Sequence, residues 1–233
     1  MTLLQTRRLT AFYGDFQALF GIDATLGAGE TIAIIGANGA GKSTFLKAIA
    51  GLIRRPADGV LLDGKPIGSL SAFDIVKLGI ALVPEGRRLF PSLTVEENLM
   101  IGGYGRRMAG PWSLDRVYSL FPVLRARRNS STPILSGGQQ QMVAIGRALM
   151  SNPRVLLCDE ISLGLAPIII ADIYSALPQI KAEGTSVVLV EQDIVQAMKA
   201  ADRVYCFQEG RLSLSGRPRE LTRDQIHRAY FGS

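Results

Sequence analysis

Two adjacent carboxylates end an apolar run in the second half of the chain, in the segment VLLCDE at residues 155–160. Two carboxylates about 4 Å apart repel by roughly 4 kcal/mol at an effective dielectric of about 20, before any cost of desolvation. The pair Asp159 and Glu160, placed at the end of a buried strand, therefore predicts a nearby cation. Because successive side chains of a strand point in opposite directions, we expect the two carboxylates to have different tasks.

A glycine-rich segment earlier in the chain is expected to bind phosphate. GANGAGKST, at residues 36–44, matches the pattern G-x-x-x-x-G-K-[ST], follows an apolar strand-like run and opens a helical pattern. The backbone N–H groups of such a loop and the start of the following helix attract anions. A chance glycine-rich turn is the alternative, and this context disfavours it. The residues expected to bind nucleotide phosphates are Gly36, Asn38, Gly39, Ala40, Gly41, Lys42, Ser43 and Thr44.

The two carboxylates are expected to lie beside this loop, because ligands of open α/β sheets bind at the carboxyl ends of the strands. We expect Ser43 and Asp159 to hold Mg²⁺, Asp159 through water, while Glu160 orients and deprotonates an attacking water. Lys42 is expected to reach the terminal phosphates and stabilise their charge. An acidic strand end that merely faces solvent is the alternative, which the nearby phosphate loop disfavours.

The segment LSGGQ, at residues 135–139, predicts a second anion-binding helix start. Ser136 is a suitable N-cap, the two glycines expose backbone N–H groups, and QQQMVAIGRALM continues with helical spacing. The residues expected to bind an anion here are Ser136, Gly137, Gly138 and Gln139.

The pattern of apolar runs predicts an α/β fold with a largely parallel sheet that is buried on both faces. Predicted strands cover residues 31–36, 80–83, 155–158, 186–191 and 203–207, and predicted helices cover residues 42–52, 94–101, 113–121 and 139–150. Strand signals are missing between Pro84 and Pro153. We therefore predict one domain, residues 1–233, with a helical subdomain at about residues 86–152 inserted in the nucleotide-binding core.

Composition narrows the class of protein without choosing a partner. The net charge of +6 is compatible with nucleic acid, an anionic membrane face or a phosphate-bearing ligand, but the arginine pairs are spread along the chain, which weakens the nucleic-acid reading. The sequence contains no run of eighteen apolar residues, which a membrane-spanning helix would need, and the start of the chain lacks the apolar core of a secretory signal. We therefore expect a cytosolic protein, with Cys158 and Cys206 as reduced, buried thiols.

Taken together and in this order, the phosphate loop, LSGGQ and VLLCDE resemble the ATP-binding cassette (ABC) ATPases over essentially the whole chain. The resemblance implies a P-loop NTPase fold with N-terminal antiparallel strands, ATP and Mg²⁺ as ligands, and two cassettes packed head to tail with each ATP held between the phosphate loop of one and the LSGGQ helix of the other. Tyr13 matches the aromatic that stacks on adenine, although an ordinary strand aromatic is the alternative. Glu160 matches the catalytic carboxylate, and residues 162–165 match the segment that crosses the interface.

Three positions depart from the general family pattern. Glu85 replaces the usual glutamine that contacts Mg²⁺ and the membrane subunit; we expect its carboxylate to ligate the metal, although it cannot donate an amide hydrogen bond. Ile161 replaces the usual proline after the catalytic glutamate. Gln192 replaces the switch histidine, and it can sense the terminal phosphate but cannot carry a proton near neutral pH. The only histidine, His227, is expected to be a surface or packing residue.

Glu85 and Gln192, together with VPEGRRLFPSLTVEENL and LVEQDIVQAM, resemble the shorter ATPase subunit of branched-chain amino acid importers, where glutamate and glutamine are usual at these two positions. Ile161 departs even from this branch, where proline is usual. That branch implies transmembrane permease subunits, a second ATPase subunit that is identical or homologous, and indirectly a solute-binding protein. It also implies a peripheral location on the cytoplasmic face of the cell membrane, with no nucleic acid. The alternatives are a soluble ABC ATPase acting on nucleic acid or ribosomes, and a P-loop kinase, which would leave LSGGQ unexplained.

Overall fold

The computed structural model describes residues 1–105 and 109–231. The predicted helical subdomain, at about residues 86–152, is therefore described only up to residue 105 and from residue 109. The strands are β1 (Thr2–Tyr13), β2 (Phe16–Gly27), β3 (Thr31–Ile35), β4 (Val60–Leu62), β5 (Lys65–Pro66), β6 (Ile80–Val83), β7 (Val155–Asp159), β8 (Ser186–Val190), β9 (Arg203–Gln208) and β10 (Arg211–Gly216). The helices are α1 (Lys42–Ile49), α2 (Ala72–Lys77), α3 (Val95–Gly102), α4 (Leu114–Leu120), α5 (Pro122–Ala126), α6 (Gly137–Leu149), α7 (Pro167–Ala182), α8 (Ile194–Ala200) and α9 (Arg223–Phe231).

The central sheet has six strands in the order β10-β9-β3-β8-β7-β6. The strands from β9 to β6 are parallel, and only β10 pairs antiparallel, with β9. Every residue of β3, β7 and β8 is buried, which explains why these strands are unbroken apolar runs instead of alternating ones. The predicted largely parallel sheet is therefore confirmed. β10 was not predicted, and its alternating burial is that of an edge strand.

A second sheet is formed by the N-terminal part of the chain and has four strands in the order β2-β1-β4-β5. All of its pairings are antiparallel, and β1 and β2 form a long hairpin of twelve residues each. This confirms the N-terminal antiparallel strands that the family resemblance implied. The inner face of the hairpin contributes Leu9, Leu19 and Ile22 to the same apolar cluster as Phe45 of α1, so the hairpin is packed against the phosphate-loop helix.

Helix α1 ends three residues earlier than the sequence pattern predicted, because a glycine stops it. Gly51 has φ of +78° and follows the C-cap residue Ala50. The Leu52 N–H donates to the Lys47 carbonyl at 2.9 Å, and the Gly51 N–H donates to the Ala48 carbonyl at 3.3 Å. This pair of bonds is a Schellman motif, which satisfies the last carbonyls of the helix and turns the chain away.

Helices α3 to α6 all fall between β6 and β7, where the sequence lacked strand signals. Their apolar side chains share a cluster with one face of the sheet, including Val83 and Cys158. Ile161 belongs to this cluster and is fully buried, so the departure from proline at that position has a packing role that the sequence did not indicate. The proposed subdomain boundary at about residues 86–152 stays a prediction.

The remaining expectations concern single residues and the membrane. Cys158 and Cys206 are free and buried, as predicted. His227 is exposed on α9. Within residues 1–105 and 109–231, the helices lack the length and apolar character needed to cross a bilayer.

Candidate functional site

A cleft of about 780 Å³ opens where β3, β7 and β8 end. It brings together residues from the start of the chain, the phosphate loop and the segments after β6, β7 and β8. The predicted site residues that line it are Tyr13, Asn38, Gly39, Gly41, Lys42, Ser43, Thr44, Glu85, Glu160 and Gln192. Most of the predicted site therefore lies in one cavity, of a size that is ordinary for a small-molecule ligand.

The phosphate loop connects β3 to α1, with Gly41 at the N-cap of the helix. Lys42 is only 4% exposed, and its ammonium group donates to the carbonyls of Gly36 at 2.8 Å and Ala37 at 3.1 Å. Ala40 is buried behind the loop, where its carbonyl accepts from the Gly210 N–H at 3.1 Å. A buried cation held by its own loop, next to the free end of a helix, is an arrangement that attracts phosphate.

Asp159 is directed toward the phosphate-loop helix. Its Oδ1 accepts a hydrogen bond of 2.8 Å from the Ser43 hydroxyl. Burial raises the pKa of Asp159, the Ser43 bond opposes that shift, and the carboxylates of Glu160 and Glu85 reinforce it. A cation placed here would relieve this unfavourable environment.

These oxygen donors fit the hard-cation chemistry of Mg²⁺. Among residues 1–105 and 109–231, no cluster of three or more histidine, cysteine or carboxylate side chains could hold a metal on its own. Mg²⁺ usually keeps several waters and is bound by one or two protein ligands together with substrate phosphates. A site made of Ser43, Asp159 and phosphate oxygens is therefore compatible with the residues present.

Glu160 is directed the other way, toward Lys42 and Gln192. Its Oε1 lies 3.7 Å from the Lys42 ammonium nitrogen, and its Oε2 accepts a hydrogen bond of 2.7 Å from Gln192. The residue has a left-handed backbone, with φ of +49°, and its N–H donates to the Val190 carbonyl at 3.0 Å. Asp159, the last residue of β7, and Glu160, which follows it, thus have separate partners. A carboxylate fixed at the cleft wall can take a proton from a water that binds beside it.

Tyr13 ends β1 at the rim of the cleft. Its side chain is 45% exposed, and its hydroxyl lies 3.4 Å from the Thr44 hydroxyl on the phosphate-loop helix. The structure adds two aromatic residues of β2 to the same wall: Phe16, which is paired with Tyr13 across the hairpin, and Phe20, over which the Arg211 guanidinium lies. An exposed aromatic face beside the phosphate loop can stack on a nucleotide base.

The LSGGQ segment lies elsewhere on the chain. Ser136 and Gln139 form a capping box at the start of α6: each accepts a hydrogen bond from the backbone N–H of the other, at 3.3 and 3.1 Å. A side chain at Gly138 would come within 2.3 Å of Ile169 on α7, so only glycine allows these two helices to approach so closely. Among the described residues, the wall of the cleft does not include residues 136–139.

Other residues of the cleft wall were not predicted from the sequence. Leu163 and Glu209 also line it, and each is exposed. Phe16 could have been suspected, because it follows Tyr13 by three residues in an aromatic-rich stretch. Glu209 carries no such signal, since it reaches the cleft only through the pairing of β9 with β3.

Comparison with known proteins gives a consistent result. A sequence profile described as ABC transporter matches residues 19–162. The chain is 43% identical over 232 residues to BraG of Pseudomonas aeruginosa, a high-affinity branched-chain amino acid transport ATP-binding protein, covering 99% of this chain and 100% of that one. Among solved structures, it is similar to MJ1267, an ATP-binding cassette of an ABC transporter, with a TM-score of 0.85, 28% identity and full coverage of both chains. It is also similar to a dimeric post-hydrolysis state of the cassette MJ0796 bound to ADP and Pi, with a TM-score of 0.81, 27% identity and coverage of 93% and 99%.

Proposed function

Since the chain belongs to the ABC transporter family of ATP-binding proteins, we propose that it is the ATP-hydrolysing motor subunit of an importer for branched-chain or related amino acids and amides. The observation that carries this proposal is the 43% identity to BraG over nearly the whole of both chains. Similarity of fold alone would not be enough, because one fold serves many functions. Here the residues of the cleft agree with the activity.

In the proposed reaction, ATP is the substrate and its triphosphate lies along the phosphate loop. Lys42 and the loop amides stabilise the charge that develops on the transferred phosphoryl group. Ser43 and, through water, Asp159 would hold Mg²⁺, which would neutralise phosphate charge, and Glu85 lines the same cleft. Glu160 orients and deprotonates the water. Gln192 holds Glu160, and in the proposed reaction it would also contact the terminal phosphate.

The proposed working unit is a dimer of cassettes. The start of α6, with Ser136, Gly137, Gly138 and Gln139, is a prepared anion-binding helix end that does not line the cleft of its own chain. In a head-to-tail pair it would complete the cleft of the neighbour. The dimeric state of the MJ0796 cassette supports a dimer, and the head-to-tail packing is what we propose for it.

The proposed partners are transmembrane permease subunits, a second cassette that is identical or homologous, and a solute-binding protein that acts through the permease. The proposed location is the cytoplasmic face of the membrane, where the chain attaches through the permease. Closing of two cassettes on two Mg·ATP would move the permease, and hydrolysis would reopen it.

The test is ATP hydrolysis by the assembled transporter in vesicles. We expect turnover that requires Mg²⁺ and rises when the solute-binding protein is added with leucine, isoleucine or valine. A sugar or a basic amino acid serves as the control ligand and should not raise turnover. Absence of ATP hydrolysis would refute the motor function, whereas stimulation by the control ligand alone would refute only the proposed cargo.

The two alternative functions predict different results. An ABC ATPase that acts on nucleic acid would show salt-dependent binding of RNA or DNA by the purified chain. A kinase would need a small acceptor before it consumed ATP. Neither alternative has support from a specific contact in the described residues, and hydrolysis without an acceptor would exclude the kinase.

A further inference from the structure

A second link joins the segments that follow β7 and β8, on the side away from the cleft. The Ser162 hydroxyl donates a hydrogen bond of 2.6 Å to Oε2 of Glu191. Glu191 is only 1% exposed, and its own N–H donates to the Ile34 carbonyl of β3 at 3.2 Å. The acid is therefore fixed to the strand that leads into the phosphate loop, and through Ser162 it holds the segment that leaves β7.

This link lies beside the contact between Gln192 and Glu160. Residues 191 and 192 are consecutive, and residues 160 and 162 flank the buried Ile161. One bond, from Gln192 to Glu160, lies in the cleft, while the other, from Ser162 to Glu191, lies behind it. Two bonds on opposite sides fix the relative position of the two segments far better than either bond alone.

The other carboxylate oxygen of Glu191 faces helix α7. Within the described part of the chain, Oε1 of Glu191 and the hydroxyl of Tyr174 are both buried and have no hydrogen-bond partner. Burial raises the pKa of Glu191, the hydrogen bond from Ser162 opposes the shift, and the nearby Glu160 reinforces it. Burial and the nearby Glu191 also raise the pKa of Tyr174. A leucine would fill such a position at lower cost, because a buried acid must be desolvated.

The segment that Ser162 begins is exposed beyond it. Leu163 is 50% exposed and lines the cleft, and Gly164 has φ of +69°. Two turns shape this segment: the Leu163 N–H donates to the Glu160 carbonyl at 3.3 Å, and the Leu165 N–H donates to the Ser162 carbonyl at 3.2 Å. A molecule that contacts Leu163 or Gly164 can therefore displace this segment, which is attached to the core at its start by the hydrogen bond from Ser162 to Glu191.

We propose that Glu191 is a positioning residue: through Ser162 it fixes the segment 162–165 relative to Gln192, so that displacement of this segment changes the orientation of the Gln192 and Glu160 side chains. Glu191 itself touches neither the nucleotide nor the water. This inference rests on the proposed ATP hydrolysis and adds to it the route by which contacts at residues 162–165 reach the reacting groups.

The test is a double-mutant cycle in the assembled transporter with Mg·ATP, in which kcat and KM are measured for each variant and Tm is measured on each purified chain. We expect Ser162→Ala and Glu191→Leu each to lower kcat about tenfold, since each removes a charge-assisted hydrogen bond that orients the site, while KM stays within about twofold. The double variant should be no slower than the slower single variant, because both changes break the same bond. Glu191→Gln should stay close to wild type, because its amide oxygen can accept from Ser162 and its amide nitrogen can donate to Tyr174.

A matched control is Ser71→Ala, which removes another hydroxyl-to-carboxylate bond, of 2.7 Å to Asp74, outside the cleft. It should lower Tm without changing kcat. The proposal is overturned if Ser162→Ala leaves kcat unchanged, if the losses multiply in the double variant, or if Glu191→Gln is as slow as Glu191→Leu. A wild-type transporter that does not hydrolyse ATP would overturn the proposed function itself, whereas an active wild type with an unaffected Ser162→Ala variant would overturn only the role of Glu191.

Discussion

Replacement of Glu160 by glutamine tests the proposed chemistry most directly, because it changes one group and keeps its shape. In Glu160→Gln, the amide oxygen can still accept the hydrogen bond that Gln192 donates at 2.7 Å. The amide nitrogen cannot take a proton from water. We therefore expect the architecture of the cleft to survive and the proton transfer to fail.

The magnitude of the effect follows from two contributions. Loss of a positioned general base lowers turnover by roughly 10²–10⁴-fold, so kcat should fall to the background rate. The carboxylate also attracts the Lys42 ammonium, by about 4.5 kcal/mol for unit charges at the observed 3.7 Å and an effective dielectric of about 20. Without that charge, the carbonyls of Gly36 and Ala37 still hold Lys42 beside the loop, and the repulsion between Glu160 and the phosphates disappears. ATP affinity should therefore be equal to or higher than that of the wild type.

The assay combines phosphate release with equilibrium binding of a fluorescent ATP analogue. A matched control is Glu220→Gln, which removes a carboxylate from an exposed ion pair with Arg217, 4.0 Å away, and should leave both measurements unchanged. Wild-type turnover by Glu160→Gln would refute the assignment of the base. A loss of ATP binding in the same variant would show that Glu160 holds the site together instead of acting on water.

Three further predictions concern neighbouring residues. Gln192→Ala should lower kcat by about tenfold, less than Glu160→Gln, because it removes only the bond that orients Oε2; a larger loss in the phosphate-release assay would reverse this order. Burial raises the pKa of Asp159, so its ionised form destabilises the nucleotide-free chain above that pKa. Asp159→Asn should therefore raise Tm at neutral pH, with a gain that vanishes as the pH falls through the raised pKa, and it should also weaken Mg²⁺-dependent binding of ATP. A lower Tm at neutral pH would contradict this prediction. Ile161→Ala should lower the free energy of unfolding by roughly 2–5 kcal/mol, measured by urea denaturation, because it leaves a cavity in the core; a loss below 1 kcal/mol would show that the site can collapse around the smaller side chain.

The sequence predicted the central sheet and the phosphate loop well because each has a strong local signal. The strands β3, β7 and β8 are buried on both faces and are therefore continuous apolar runs. The phosphate loop needs its residue types at fixed spacing because backbone and side chain act on one ligand. Small strands gave no such signal: β4 and β5 are short, β4 is held by its pairing with β1 of the hairpin, and β5 by its pairing with β4.

Contacts between distant residues could not be predicted in the same way. Ser162 and Glu191 are 29 positions apart, and their bond exists only because β7 and β8 are neighbours in the sheet. The burial of Ile161 likewise depends on which face of the sheet the inserted helices cover. The opposite directions of Asp159 and Glu160 were predictable from strand geometry, but the left-handed turn at Glu160 was not.

The contact between Gly138 and Ile169 has a mechanical consequence. Residue 138 cannot carry a side chain without pushing α6 away from α7, because its Cβ would lie 2.3 Å from Ile169. Helix α7 begins two residues beyond Leu165, so the LSGGQ end of α6 lies against the helix that continues the segment 162–165. In the proposed pair of cassettes, a displacement of that segment would therefore shift the surface that the chain presents to its neighbour's nucleotide.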